Sequence, residues 1–118
     1  MSVAIFVGQR WVQLPLNKII LVGSIDVSQE TLASSATLDD TQFVILADAT
    51  SGVISLSLPP STGIDGRTYH IKKTDSSSNA VTINPSGAET LDGELTVDLD
   101  IQYEALHIIT DGSNWSVL

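Results

Sequence analysis

Residues 69–83 read Tyr-His-Ile-Lys-Lys-Thr-Asp-Ser-Ser-Ser-Asn-Ala-Val-Thr-Ile and contain two alternating runs joined by a polar connection. Tyr69 and Ile71 alternate with polar residues, and Val81 and Ile83 repeat the pattern. A period of two is typical of half-buried strands. The polar residues 75–79 favour turns and predict a hairpin connection. The segment therefore predicts two strands that turn one apolar face toward a core.

Similar runs lie on both sides of this segment, separated by turn signals. Upstream, residues 43–47 predict a buried strand, and the next run is closed by Pro59, which has no N–H for a β-ladder. Downstream, Asp111-Gly112 predicts a hairpin because glycine accepts the positive φ of such turns. The predicted inward residues of these runs are Ile54, Leu56, Leu58, Leu95, Val97, Leu99, Ile101, Leu106, Ile108, Trp115 and Val117.

No stretch of the chain has a sustained helical face, and residues 28–38 predict one helical turn at most. The connections are too short for crossover helices, which favours antiparallel pairing. We therefore expect an all-β domain over residues 41–118, an antiparallel β-sandwich or small jelly-roll-like barrel. Residues 1–40 are expected to form an extended N-terminal arm with the first strand or strands.

The composition excludes several classes of function. The 118 residues include no Cys, which excludes disulfides, thiol nucleophiles and cysteine-based zinc or iron–sulfur sites. The chain has 5 Lys and Arg residues and 14 Asp and Glu residues. The resulting net charge of −9 argues against duplex nucleic-acid binding. We find no secretory signal and no stretch of the roughly 18–20 apolar residues that span a bilayer. We therefore expect no nucleic-acid or membrane partner.

The charge is unevenly distributed along the chain. Residues 1–25 contain two cations and no carboxylate, +2, whereas the remaining 93 residues carry 3 cations and 14 carboxylates, −11. Either this difference is chance, or the first segment faces different surroundings. Residues 19–22 are apolar at consecutive positions, so they form a central core strand or a strand that another chain covers. The predicted docking residues are Phe6, Arg10, Trp11, Ile19, Ile20, Leu21 and Val22.

The sequence contains no recognisable arrangement of catalytic residues. His70 and His107 fall at outward strand positions, which favours solvated or interface histidines over a catalytic triad. Asp98 and Asp100 share one predicted strand face, where they form a Ca²⁺ or acid–base pair or simply a solvated surface, and we favour the surface. The pair Lys72-Lys73 is too small a basic patch for nucleic acid. We expect no catalytic residue, no metal ligand and no cofactor.

One composite motif extends across the C-terminal two-thirds of the chain, and its parts are Leu58-Pro59-Pro60, Gly63, Gly66-Arg67-Thr68-Tyr69, Ile71-Lys72-Lys73-Thr74-Asp75, Ala80-Val81-Thr82-Ile83-Asn84-Pro85, Glu89-Thr90-Leu91-Asp92-Gly93, Gln102-Tyr103-Glu104-Ala105-Leu106 and Asp111-Gly112-Ser113-Asn114-Trp115. This string resembles a module of structural proteins of tailed bacteriophages and prophages. In that family the module is often the C-terminal part of tail-fibre, baseplate or capsid-associated proteins.

The resemblance implies a scaffold rather than a reaction site. Turns and the core are assigned to Pro59, Gly66, Tyr69, Tyr103, Gly112 and Trp115, with the rings of Tyr103 and Trp115 expected in the core. The implied function is a non-enzymatic capsid decoration protein on the outer surface of the head, a homo-oligomer and specifically a trimer. A tail-fibre or baseplate adhesin is the alternative.

Overall fold

The computed structural model describes the backbone of Ser2–Val7 and Arg10–Pro15 and all of residues 22–118. Within these ranges the chain is all-β and contains no helix, so no described helix could cross a membrane. The strands are β1 Ser2–Val7, β2 Arg10–Pro15, β3 Gln29–Leu32, β4 Ala36–Thr37, β5 Val44–Ala47, β6 Ile54–Ser57, β7 Thr68–Lys73, β8 Val81–Asn84, β9 Val97–Leu99, β10 Ala105–Thr110 and β11 Trp115–Val117.

Strands β1 and β2 pair antiparallel in a two-stranded sheet of their own. Their register places Phe6 opposite Trp11 and Val7 opposite Arg10. Three of the predicted docking residues therefore belong to one strand pair. Residues 19–21 lie outside the described residues, and Val22 lies in no strand and is 97% exposed.

The other nine strands form two mixed sheets. One has five strands in the order β11-β10-β7-β5-β3, and the other has four in the order β4-β6-β8-β9. The prediction of antiparallel pairing is wrong for a large part of both sheets, because β3, β5 and β7 run parallel, as do β4, β6 and β8. Only β8 with β9, β7 with β10, and β10 with β11 pair antiparallel there.

Parallel pairing is possible without helices because the chain alternates between the two sheets from β3 to β8. The connection between parallel β5 and β7 passes through β6 in the opposite sheet. A parallel pair needs a crossover of about a dozen residues or more, and here a strand supplies it. Residues 75–79 are therefore a crossing from one sheet to the other, and their prediction as a hairpin connection is wrong.

The two edge strands β3 and β4 precede residue 41 in the sequence. They lie in the stretch for which one helical turn at most was predicted, and each pairs with a strand beyond residue 41. Pairing in the two mixed sheets therefore begins at Gln29. The hairpin predicted at Asp111–Asn114 is confirmed, since β10 and β11 pair with Thr110 opposite Trp115.

Both sheets contribute side chains to one apolar core. The inward rows predicted for β6, β7 and β8 are confirmed, and Trp115 is buried against Tyr69 with ring centroids 5.8 Å apart. The core residues are Leu38, Ile45, Ala47, Ala49, Ile54, Leu56, Leu58, Tyr69, Ile71, Val81, Ile83, Leu91, Leu99, Ile108 and Trp115.

The expected scaffold residues divide into two groups. Pro59 follows the end of β6, and Gly66 and Gly112 adopt φ values of 90° and 93°, as their predicted turns require. The expectation that Tyr103 packs in the core is wrong, because its side chain is 63% exposed and its own φ is 69°. Tyr103 sits in the turn before β10, where the Lys72 ammonium lies 5.4 Å from the ring centroid.

A buried ion pair joins two of the crossings between the sheets. Lys73 continues the inward row of β7 and is fully buried, and its Nζ donates to Asp75 Oδ2 at 2.7 Å. Asp75 also accepts hydrogen bonds from the Ser77 backbone and hydroxyl and, at 2.8 Å, from the Ala49 N–H. Ala49 lies in the crossing from β5 to β6, so the carboxylate connects that crossing to the next one.

The donors around Asp75 control its protonation. The hydrogen bond from Lys73, followed by that from the Ser77 hydroxyl, holds the pKa of the Asp75 carboxyl far below its ordinary value. The charge of Asp75 therefore stabilises the fold above a pH of about 4 and is lost only as the pH falls through the lower folded value.

We expect Lys73→Met to lower the free energy of unfolding by about 3 kcal/mol at neutral pH, because it leaves a buried carboxylate without its cation. The difference from the wild type should narrow at acidic pH, because Asp75 takes up a proton in the variant at a higher pH than in the wild type, where Lys73 keeps it charged. Urea unfolding at several pH values measures both effects. Lys72→Met, at the exposed neighbouring position, is the matched control, and an equal loss in both variants would contradict the role of the pair.

Candidate interaction surface

The outer face of the five-stranded sheet carries apolar side chains and two histidines. Val44 and Leu46 alternate with the buried residues of β5, and His70 and Lys72 do the same on β7. Together they line a groove of about 420 Å³. We call this surface the histidine face, and the residues that line its groove include Val44, Leu46, His70, Lys72, His107 and Leu118.

The two histidines are direct neighbours across β7 and β10. The His70 backbone N–H donates to the Phe43 carbonyl at 2.9 Å, and the His107 carbonyl accepts from the Leu118 N–H at 2.8 Å. Both groups therefore bond away from the partner histidine, which is the arrangement of a non-hydrogen-bonded pair, where cross-strand side chains are closest. The imidazole rings stack with centroids 3.6 Å apart, and the Phe43 ring lies 5.1 Å from His70.

This environment disfavours a charge on His70. Burial lowers the pKa of the His70 imidazole below its ordinary value, and repulsion from His107 lowers it further. At neutral pH His70 is therefore largely uncharged and contributes an aromatic rather than a cationic group to the face. The prediction that both histidines point outward is confirmed, since neither belongs to the buried core.

The charge of the groove differs from that of the chain. Among the described residues, no Asp or Glu side chain lines it, although the chain has 14 Asp and Glu, and Lys72 is the permanently charged side chain of its lining. The outer face of the four-stranded sheet is polar instead, with two rows across the strands formed by Thr37, Ser57 and Asn84 and by Ser55, Thr82 and Asp98. The two outer faces thus suit different surroundings, one apolar and one aqueous.

The sequence offered two sets of side chains for catalysis or metal binding, the two histidines and the pair Asp98 and Asp100. Neither histidine hydrogen-bonds through its ring to a serine or carboxylate, and no three metal-ligating side chains cluster in residues 22–118. Asp98 and Asp100 do not share a strand face, because β9 ends at Leu99. The Asp100 N–H instead donates to Glu104 Oε2 at 3.1 Å in the following turn.

The predicted docking residues and the histidine face belong to different parts of the chain. Phe6, Arg10 and Trp11 lie in β1 and β2, whereas the groove is built by β5, β7 and β10. Sequence reasoning assigned residues 43–47 to a buried strand and did not predict the groove. The signal was present, because apolar residues at consecutive positions put apolar groups on both faces of a strand.

The chain matches no model of a protein family, and no curated protein matches it. The contrast between the two outer faces is therefore the main structural guide to function.

We expect the pKa of His70 to lie below 6.5 and to rise in His107→Gln, because that variant removes the stacked ring and its repulsion. NMR titration of the imidazole carbon-bound protons measures both values, and the single remaining histidine makes the assignment direct. Ile109→Val is the control on the same face outside this pair. An unchanged His70 pKa in His107→Gln would show that the two rings do not interact in solution.

Proposed function

We propose that this chain is a non-enzymatic structural protein of a tailed-bacteriophage virion, and specifically a capsid decoration protein that binds and reinforces the head shell. The observation that carries the proposal is the contrast between the polar outer face of one sheet and the apolar histidine face of the other. A protein that coats a shell needs one surface for a neighbour and another for water.

The architecture supports a scaffold role. Two mixed sheets around one core suit a β-sandwich, which we propose for the finer description of the fold. We further propose that residues 1–40 include the docking arm, with Phe6, Arg10, Trp11 and the apolar residues 19–22 as its contacts. The partner is then a capsid or other virion protein, and copies of the chain associate as a homo-oligomer, for which the resemblance implies a trimer.

Labelling of virions tests the location. Antibodies raised against the purified chain and detected by immunogold electron microscopy should decorate the head of the particle, because a decoration protein sits on the outer shell. Labelling confined to the tail would contradict this proposal and support the tail-fibre or baseplate adhesin. Particles that lack the protein are the control for antibody specificity.

Deletion of residues 1–22 tests the docking arm. We expect the shortened chain to keep its β-sheet circular dichroism and cooperative unfolding, because the described core lies between residues 38 and 115. It should fail to bind heads that lack the protein in a co-sedimentation assay, whereas the full chain binds. Loss of the folded state would assign the segment to the core, and full binding by the shortened chain would remove the arm from the docking surface.

A further inference from the structure

The segment from Glu94 to Ile101 exposes large apolar side chains beside carboxylates. It was predicted to be the most regular inward row, yet β9 covers only Val97–Leu99, and Leu95 and Ile101 are 64% and 68% exposed. Glu94, Asp98 and Asp100 are exposed as well. We call residues 94–101 the acidic segment.

The described residues do not account for this pattern. The one ion pair in the described residues is Lys73 with Asp75, so the acidic segment has no cation among them. β9 is also an edge strand of the four-stranded sheet, with β8 on one side only. Exposed leucine and isoleucine side chains on a free edge cost solvation free energy unless a partner covers them.

The histidine face has the opposite properties. Its groove is concave and apolar, it contains Lys72, and no Asp or Glu side chain of the described residues lines it. In a chain of net charge −9, a negatively charged neighbour meets less repulsion at this face than at surfaces that carry Asp or Glu side chains. The acidic segment offers the matching chemistry, with two exposed apolar side chains for the groove and three carboxylates near Lys72.

We propose that the acidic segment of one copy docks into the groove of the histidine face of a second copy. The groove lies on the outer face of the five-stranded sheet, whereas β9 is an edge strand of the four-stranded sheet. The two complementary surfaces of one chain therefore belong to different sheets. The contact is head-to-tail, and its repetition builds a closed ring or an open filament. Packing two histidine faces against each other fits less well, because Lys72 would then meet no Asp or Glu side chain of the second groove.

This contact can be tested separately from the proposed virion role, because copies of the purified chain form it without any virion protein. The test uses sedimentation velocity of the full chain at neutral pH over a wide concentration range. We expect concentration-dependent association in the wild type. Lys72→Glu should weaken it about tenfold, as expected for reversal of one interfacial charge, and Asp98→Lys with Asp100→Lys should weaken it at least as much.

The matched control is Asp26→Lys with Asp40→Lys, which makes the same change in net charge at exposed positions outside both surfaces. It should leave the association close to that of the wild type. The decisive measurement mixes the Lys72→Glu chain with the Asp98→Lys, Asp100→Lys chain. Each retains one intact surface, so the intact acidic segment of the first binds the intact groove of the second, and association returns. This recovery also shows that both variants are folded.

Three results would overturn the proposal. A wild-type chain that stays monomeric at all concentrations has no such contact, and the groove then serves another acidic protein or none. Equal association in the two surface variants and the control would place the contact elsewhere. If both variants lose association but their mixture does not recover it, the contact is not formed between the groove and the acidic segment.

Discussion

The Asp75 carboxylate holds together the part of the fold that makes parallel pairing possible. It accepts hydrogen bonds from Lys73 at the end of β7, from Ala49 in the β5–β6 crossing and from Ser77 in the β7–β8 crossing. Asn79 adds a second tie by donating to the Ala49 carbonyl at 2.8 Å. Each crossing contains backbone N–H and C=O groups that have no hydrogen-bond partner in a β-ladder. The side-chain hydrogen bonds of Asp75 and Asn79 provide partners for several of these groups. The crossings can therefore lie one above the other.

The order and direction of the strands in each sheet follow from these crossings. When the chain leaves β5 for β6 and returns for β7, β7 can only lie beside β5 with the same direction, and β8 repeats this beside β6. The winding ends at β9 and β10, where the chain reverses and pairs antiparallel with β8 and β7. Within the two mixed sheets, antiparallel pairing is thus confined to the pairs that β9, β10 and β11 make.

The sequence predicts the faces of the strands much better than their partners. Alternation placed Tyr69, Ile71, Val81 and Ile83 inward because burial acts on each side chain separately, whatever strand lies beside it. The direction of pairing depends on where a connection leads, and turn residues such as Asp75–Asn79 suit a hairpin and a crossing equally well. The burial of Lys73 had a signal that was overlooked, since it has the parity of Tyr69 and Ile71 and precedes Asp75 by two residues.

The arrangement of side chains on the interaction surfaces could be predicted only in part from the sequence. His70 and His107 were correctly placed on an outer face, but their stacking depends on the register between β7 and β10, which alternation leaves undetermined.

Leu95 and Ile101 have the sequence pattern of core residues, and the chain nevertheless leaves them in solvent. An alternating apolar pattern indicates that these side chains are buried in the functional state, but it does not indicate whether the residues that bury them belong to the same chain. A row that reads as core and remains exposed is therefore evidence for contact with another molecule, and the carboxylates beside it define the charge of that partner's surface.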